Sequence, residues 1–366
     1  MGKLGRLQHI KLEGFRSIRQ LDLDLGPLNI LIGPNGAGKS NFISFFKFMN
    51  KLQEKELQLH VRTQLNGADR TLYFGRKTTG SIKINLHFPP NSYGAELVPT
   101  TDDGLVFARE TAWFHGDEIG YQGGHKAKPL AQAGDLESAL PAPGRAAAAQ
   151  HVARHISDWK VYHFHDTSDT AKVKGTYSLF ANDRLMPQGD NLAAFLHGIQ
   201  SQHQDAYKKI VSTIQRVAPF FQNFVFTKEP NDLIRLRWKH KGSDDYFDAT
   251  MLSDGTLRFI CLATLLLQPN LPTILLLDEP ELGLHPYAIQ LLAAMMRSAS
   301  HATQIIASTQ SVTLANEFGW DDIIVVDQKN SESMFQRLKE EQVKEWMDDY
   351  RTGDLWEKNL LGGTPE

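Results

Sequence analysis

The eight residues GPNGAGKS, Gly33 to Ser40, lie between an almost unbroken apolar run, LNILI (28–32), and the stretch SNFISFFKFMNKL (40–52). A short continuous apolar run reads as a strand covered on both faces. The stretch after it repeats apolar residues at helical spacing and puts Phe42, Phe45, Phe46 and Met49 on one side. The eight residues fit G-x-x-x-x-G-K-[ST] in the context a phosphate loop needs, after a strand and before a helix. Glycines let backbone N–H groups converge on phosphate oxygens, and the helix that follows presents the positive end of its dipole. In such a loop Lys39 bridges the β- and γ-phosphates and Ser40 holds magnesium. Asn35, Gly36, Gly38, Lys39, Ser40 and Asn41 are therefore candidate contacts for ATP. A glycine turn with a chance lysine is the bland alternative, and the strand and helix on either side argue against it.

Two further stretches carry chemistry. In ILLLDEPELGLHP (274–286) a buried strand ends in adjacent acids. Asp278 at the strand tip can bind magnesium through water, and Glu279 beside it can orient or activate a water against the γ-phosphate. In LSDGTLRF (252–259) a serine and a glycine precede a helix. Ser253 and the N–H groups near Gly255 offer a second anion site, although an ordinary capped helix fits the same residues. The specific signal is the order: phosphate loop, serine-glycine helix start, Asp-Glu strand.

With KLEGFRSI (11–18) added at the N-terminus, this set resembles the ABC-type ATPases of the SMC and RecF group, and most of all their RecF-like, OLD-related members. In that resemblance GPNGAGKS is the Walker A motif, LSDGT the ABC signature and LLLDEPELGLHP the Walker B motif and D-loop. It is strong over about residues 7–50 and 250–328 and weak between. It implies an α/β fold: a P-loop NTPase head with a mainly parallel sheet, an antiparallel β subdomain and an inserted helical arm. It also implies a head that forms a homodimer on ATP, the signature of one copy closing on the γ-phosphate held by the other. Arg16 and Ser17 correspond to positions near the nucleotide, and Gln64 to a Q-loop residue at the metal. The strand and turn IIASTQSV (305–312) carry Gln310 where the family places a histidine. Glutamine keeps a donor and an acceptor at similar reach but takes no positive charge, so a slow ATPase is expected. The chain departs from its larger relatives. It has no long coiled coil and no Cys-x-x-Cys hook, and no acidic nuclease domain is expected after DDIIVVD (321–327).

Bulk properties fit this class without defining it. The 366 residues carry a net charge of −3, with 41% hydrophobic and 22% charged residues, so a nucleic-acid surface would have to be local. The single cysteine, Cys261, sits in an apolar run and reads as a small core residue of a cytoplasmic protein. The longest apolar stretches are too short to span a bilayer, so no membrane partner is expected.

Along the chain, three segments are expected. Residues 1–114 form an N-terminal lobe with the phosphate loop and an antiparallel meander from Ser81 to Phe114. Residues 115–230 are a mainly helical insertion, and residues 231–366 a C-terminal lobe. Three weaker signals stay open. The strand LIRLRW, extended to Lys239, puts Arg235, Arg237 and Lys239 on one face, either solvated or touching a DNA backbone. His163, His165, Asp166 and Asp169 include two histidines at i, i+2, a metal-chelating spacing with no second cluster to complete it. The tail from Lys344 to Gly363 carries Trp346, Trp356, Leu360 and Leu361, which either pack back on the head or dock a partner. Three roles fit the whole: DNA maintenance, the ATPase of an antiphage pair with a separately encoded nuclease or toxin effector, or an ATP-dependent clamp that does not hydrolyse.

Overall fold

A strand that is apolar on both faces must find cover on both sides, and the fold is built around that need. A computed structural model describes residues 5–114, 128–144, 147–346 and 349–363. Its contacts divide the chain into two compact units, one joining Met1–Trp159 to Gly319–Glu366, the other spanning Lys160–Phe318. This division runs across the three segments read from the sequence. Residues 115–127, where the insertion was expected to begin, lie outside the described residues.

In the first unit, β1 (His9–Phe15) and β2 (Ile18–Asp24) pair as an antiparallel hairpin, with Leu12 opposite Leu21. Strand β3 (Leu28–Ile32) is buried at all five positions. Helix α1 (Lys39–Gln53) leaves the phosphate loop and buries Phe42, Phe45, Phe46 and Met49 as expected. Short helices α2 (Leu57–Thr63) and α3 (Ala68–Thr71) lead to the meander of β4 (Ile82–Phe88), β5 (Asn91–Pro99) and β6 (Leu105–Phe114). With a short β7 (Lys128–Pro129) these make a six-stranded sheet in the order β2-β1-β4-β5-β6-β7. On β4, Ile82, Ile84, Leu86 and Phe88 are all buried, so the period-two reading selects the correct face.

Helix α4 (Ala147–Ser157) packs against α1. Trp159 donates its indole N–H to His155 Nδ1 (3.0 Å), and the other ring nitrogen of His155 donates to the Gly5 carbonyl. Burial pushes the His155 pKa down to about 4, so the ring is neutral with its proton on Nε2. Phe46 packs against Trp159 with the rings tilted at 59° and 5.1 Å between centroids, which joins the helix of the phosphate loop to this cluster.

Strand β8 (Trp159–Tyr162) carries the chain into the second unit. There follow β9 (Thr176–Ser178), α5 (Leu192–Gln202), α6 (Gln204–Val217), β10 (Phe221–Val225) and β11 (Lys228–Glu229). The stretch expected to be mainly helical therefore also holds short strands. One expectation is corrected outright. LIRLRW is not one strand but two, β12 (Leu233–Arg235) and β13 (Arg237–His240), in different sheets. β12 lies between β11 and β9, and β13 between β10 and β14 (Tyr246–Asp248). Alternation still holds, because Ile234, Leu236 and Trp238 are all buried. A period of two specifies a face, not a pairing partner, so the change of sheet at Leu236 left no mark in the pattern.

The cations on the other face are neutralised locally. Arg237 pairs with Glu229 (3.0 Å) and Asp248 (3.3 Å), Arg235 approaches Glu229 (3.9 Å), and Lys239 approaches Asp244 (3.9 Å).

The rest of this unit alternates helix and strand: α7 (Asp254–Leu267), β15 (Ile274–Asp278), α8 (Pro286–Ser300), β16 (Gln304–Ser308) and α9 (Val312–Ala315). β15 and β16 are parallel, with Asp278 opposite Ser308. Cys261 is buried on α7, and burial pushes its thiol up to about 12, as for an inert core residue.

The chain then returns to the first unit. β17 (Ile323–Lys329) pairs in parallel with β3, and β18 (Glu332–Arg337) turns back along it. Short helices α10 (Glu340–Val343) and α11 (Thr352–Glu357) complete the tail. Part of that tail packs down: Trp356 is buried and donates to the Gly363 carbonyl (2.8 Å), while Trp346 and Leu360 stay 41% and 45% exposed. Among the described residues, no helix is long and apolar enough to cross a membrane.

Candidate nucleotide site

Each unit carries one cluster of the predicted residues. In the first, the loop Gly33–Ser40 is shaped by backbone that only glycine adopts cheaply. Gly38 has φ +113°, and a Cβ there would stand 2.1 Å from Ser333 Oγ. At Gly36 (φ +83°) no heavy atom lies within 4 Å of a would-be Cβ, so the crest of the loop is open. Asn35, Gly36 and Ser40 are exposed there. No side chain caps the start of α1, which leaves its first N–H groups available to an anion. Lys39 is buried and folds back on the loop, donating to the carbonyls of Gly33 (2.5 Å) and Pro34 (3.0 Å).

Arg16, Ser17 and Asn41 meet beside this loop. Arg16 is a non-glycine residue at φ +52°, held by its N–H on the Thr71 carbonyl (2.8 Å). Its Nη1 donates to Asn41 Oδ1 (3.2 Å), and Asn41 Nδ2 donates to Ser17 Oγ (2.7 Å). Ser333 on β18 donates to the same hydroxyl (2.7 Å), and its N–H to the Ser17 carbonyl (2.8 Å). Burial pushes the Arg16 pKa down, and its buried Nε has no hydrogen-bond partner among the described residues. A buried cationic donor without a partner calls for an anion. Arg16, Ser17 and Asn41 open on a concavity of about 870 Å³, whose wall also includes Arg70, Phe74 and Lys77. Gln64 is not part of it; it is exposed at the end of α2.

In the second unit, parallel register brings the tips of β15 and β16 together. Ser308 Oγ donates to the Asp278 carboxylate. Glu279 sits in the left-handed region (φ +45°), with its N–H on the Ser308 carbonyl (3.0 Å). Strained backbone of this kind gathers at functional sites. Gln310 Nε2 donates to Glu279 Oε1, so the two residues singled out for hydrolysis touch. His165 Nε2 donates to the Asp278 carbonyl (2.8 Å), which gives this histidine a structural partner. Among the described residues, no group of three or more His, Cys, Asp or Glu side chains is placed to hold a metal ion.

Ser253 caps α7, its Oγ accepting from the Thr256 N–H (3.3 Å), and is exposed. Gly255 lies so close to Gly283 that a Cβ would stand 2.6 Å from that carbonyl oxygen. Arg258, one helical turn on and buried, donates to the carbonyls of Phe164 (2.9 Å), His165 (3.1 Å) and Leu282. One side chain thus ties the serine-glycine helix to the segment after Glu279.

Sequence reading missed Ser333, Arg258 and Glu281. Arg258 had a visible signal, a lone charge in the apolar run Leu257–Leu267. Ser333 had none, because only the β3–β17–β18 pairing brings it to the loop.

A strand, a glycine loop with a buried lysine, a helix, and an Asp-Glu pair at a strand tip define a P-loop ATPase head of the ABC type. The chain belongs to the family described as "AAA domain, putative AbiEii toxin, Type IV TA system", whose model matches residues 28–316. It is 30% identical over 105 residues to the DNA replication and repair protein RecF of Renibacterium salmoninarum, covering 28% of this chain and 26% of that protein. It is 31% identical over 112 residues to an OLD nuclease of Thermus scotoductus, covering 30% of this chain and 20% of the nuclease. The matched stretches therefore span 26% or less of these relatives.

Among solved structures, it resembles the Smc head bound to the C-terminal winged-helix domain of ScpA. The TM-score is 0.59 at 14% identity, covering 93% of this chain and 99% of that one. It also resembles the Smc head with an extended coiled coil bound to the C-terminal domain of ScpA, from Pyrococcus furiosus. There the TM-score is 0.56 at 12% identity, covering 94% and 99%. These likenesses establish the fold.

Proposed function

We propose that this chain binds and hydrolyses ATP and that two copies associate when ATP is bound, in a role of DNA maintenance like that named for its RecF relatives. The Gln310–Glu279 hydrogen bond beside Asp278 carries the hydrolytic part of this reading. Loop N–H groups, Lys39 and Arg16 bind the phosphates. Magnesium would take hard oxygen donors of the kind that the Ser40 hydroxyl and the Asp278 carboxylate each offer, alongside phosphate and water, and would screen phosphate charge.

Glu279 accepts a proton from the attacking water. Gln310 fixes the Glu279 carboxylate through one oxygen and leaves the other to the water. Because an amide does not titrate in the working range, the rate shows no histidine-like inflection from position 310. Measuring phosphate release by the purified chain with Mg-ATP tests the reading; no turnover would refute it.

The dimer part is tested at Ser253. Ser253→Arg is expected to abolish ATP-dependent association by crowding the exposed start of α7, while nucleotide affinity of the single chain stays within about threefold. Loss of that affinity in a folded variant would show that Ser253 serves its own chain's nucleotide.

The family description and the OLD nuclease likeness favour a second reading, an antiphage ATPase that controls a separately encoded effector. A stable complex with the product of a neighbouring gene would support it. The ion-paired state of Arg235, Arg237 and Lys239 lends DNA contact at that face no support.

A further inference from the structure

Two residues after Glu279 the chain buries another carboxylate. Glu281 is 7% exposed, and burial pushes its pKa up. Its Oε1 accepts from Thr309 Oγ1 (2.5 Å) and, at longer range, from the Gln310 N–H (3.4 Å). Its Oε2 is buried without a hydrogen-bond partner among the described residues. A core position with no task would favour an apolar side chain, since a buried carboxylate costs stability unless it is fully hydrogen-bonded.

What Glu281 holds is the turn that carries Gln310. The Thr309 hydroxyl gives its proton to Glu281 and accepts the Ser311 N–H (2.9 Å); Ser311 Oγ in turn accepts from the Leu314 N–H at the start of α9 (3.2 Å). Thr309 is fully buried, whereas Gln310 is exposed. An exposed glutamine is free to leave a partner unless its backbone is fixed.

We propose that Glu281 is a positioning residue for ATP hydrolysis: by gripping Thr309 and the Gln310 N–H, it sets the turn from which Gln310 reaches the Glu279 carboxylate. The inference rests on the reading of Glu279 and Gln310 as the hydrolytic pair. It places Glu281 and Gln310 in one functional unit, so their losses should not multiply.

The test is a double-mutant cycle on ATP turnover, with thermal unfolding and nucleotide affinity measured for every variant. Gln310→Ala is expected to lower kcat by about ten- to a hundredfold, and Glu281→Leu, similar in volume but without an acceptor, by about tenfold or more. In both, KM stays near wild type. The double variant should be no slower than the slower single one. Glu281→Gln keeps an acceptor oxygen and should retain kcat within about threefold.

Multiplying losses, a loss that resides in KM, or a Glu281→Leu enzyme with wild-type kcat would each overturn the inference while leaving the ATPase reading intact. A wild-type chain with no turnover overturns both. Should Glu281→Leu fail to fold, Thr309→Val removes the same hydrogen bond and must reproduce the same non-additive loss of kcat.

Discussion

Glu279→Gln is expected to slow steady-state ATP hydrolysis by about a hundredfold or more while leaving ATP binding intact, because a positioned general base contributes on that scale. The substitution keeps the shape of the side chain, and an amide oxygen can still accept from Gln310 Nε2. What it removes is the group that takes the proton of the attacking water. The phosphate loop and Asp278 are untouched, so nucleotide affinity stays near wild type. Hydrolysis is also the exit from the ATP-bound state, so the variant should accumulate in that state. Phosphate release together with equilibrium ATP binding checks both halves; turnover at the wild-type rate would take Glu279 out of the mechanism.

Lys39→Ala is expected to fail one step earlier. The Lys39 ammonium is buried in the loop and bound to the Gly33 and Pro34 carbonyls. Charge-assisted bonds to phosphate are among the strong ones, and in a loop of N–H groups lysine supplies the full positive charge. Removing it should weaken ATP binding by about a hundredfold and leave no measurable turnover at ordinary ATP concentrations. The fold should survive, since α1 keeps its buried aromatic face of Phe42, Phe45 and Phe46. Calorimetric titration with ATP tests this. Affinity within threefold of wild type, in a folded variant, would mean that the loop does not cradle phosphate.

How much of this was legible before the fold was known depends on distance along the chain. Strand β3, the loop and α1 are consecutive, and every feature that identifies them is local: the apolar run, the glycines, and phenylalanines at helical spacing. Asp278, Glu279 and Gln310 were legible as individual candidates. That Gln310 touches Glu279 was not, because the contact is set by the parallel register that puts Asp278 opposite Ser308. Ser333 reaches the loop through two strand pairings and carries no local mark.

LIRLRW misled for a related reason: its alternation is real and both halves bury the same face, yet the backbone changes sheets at Leu236. Glu281 stood in plain view between residues read for other reasons. Its role depends on burial, which a sequence of mixed acids and apolar residues does not reveal.

The central claim, that ATP brings two copies of this head together, is tested most directly by light scattering on Glu279→Gln in Mg-ATP and in Mg-ADP. We predict twice the mass of one chain in ATP and the mass of a single chain in ADP, with Ser253→Arg restoring the single chain in ATP. The same mass in both nucleotides would contradict the account.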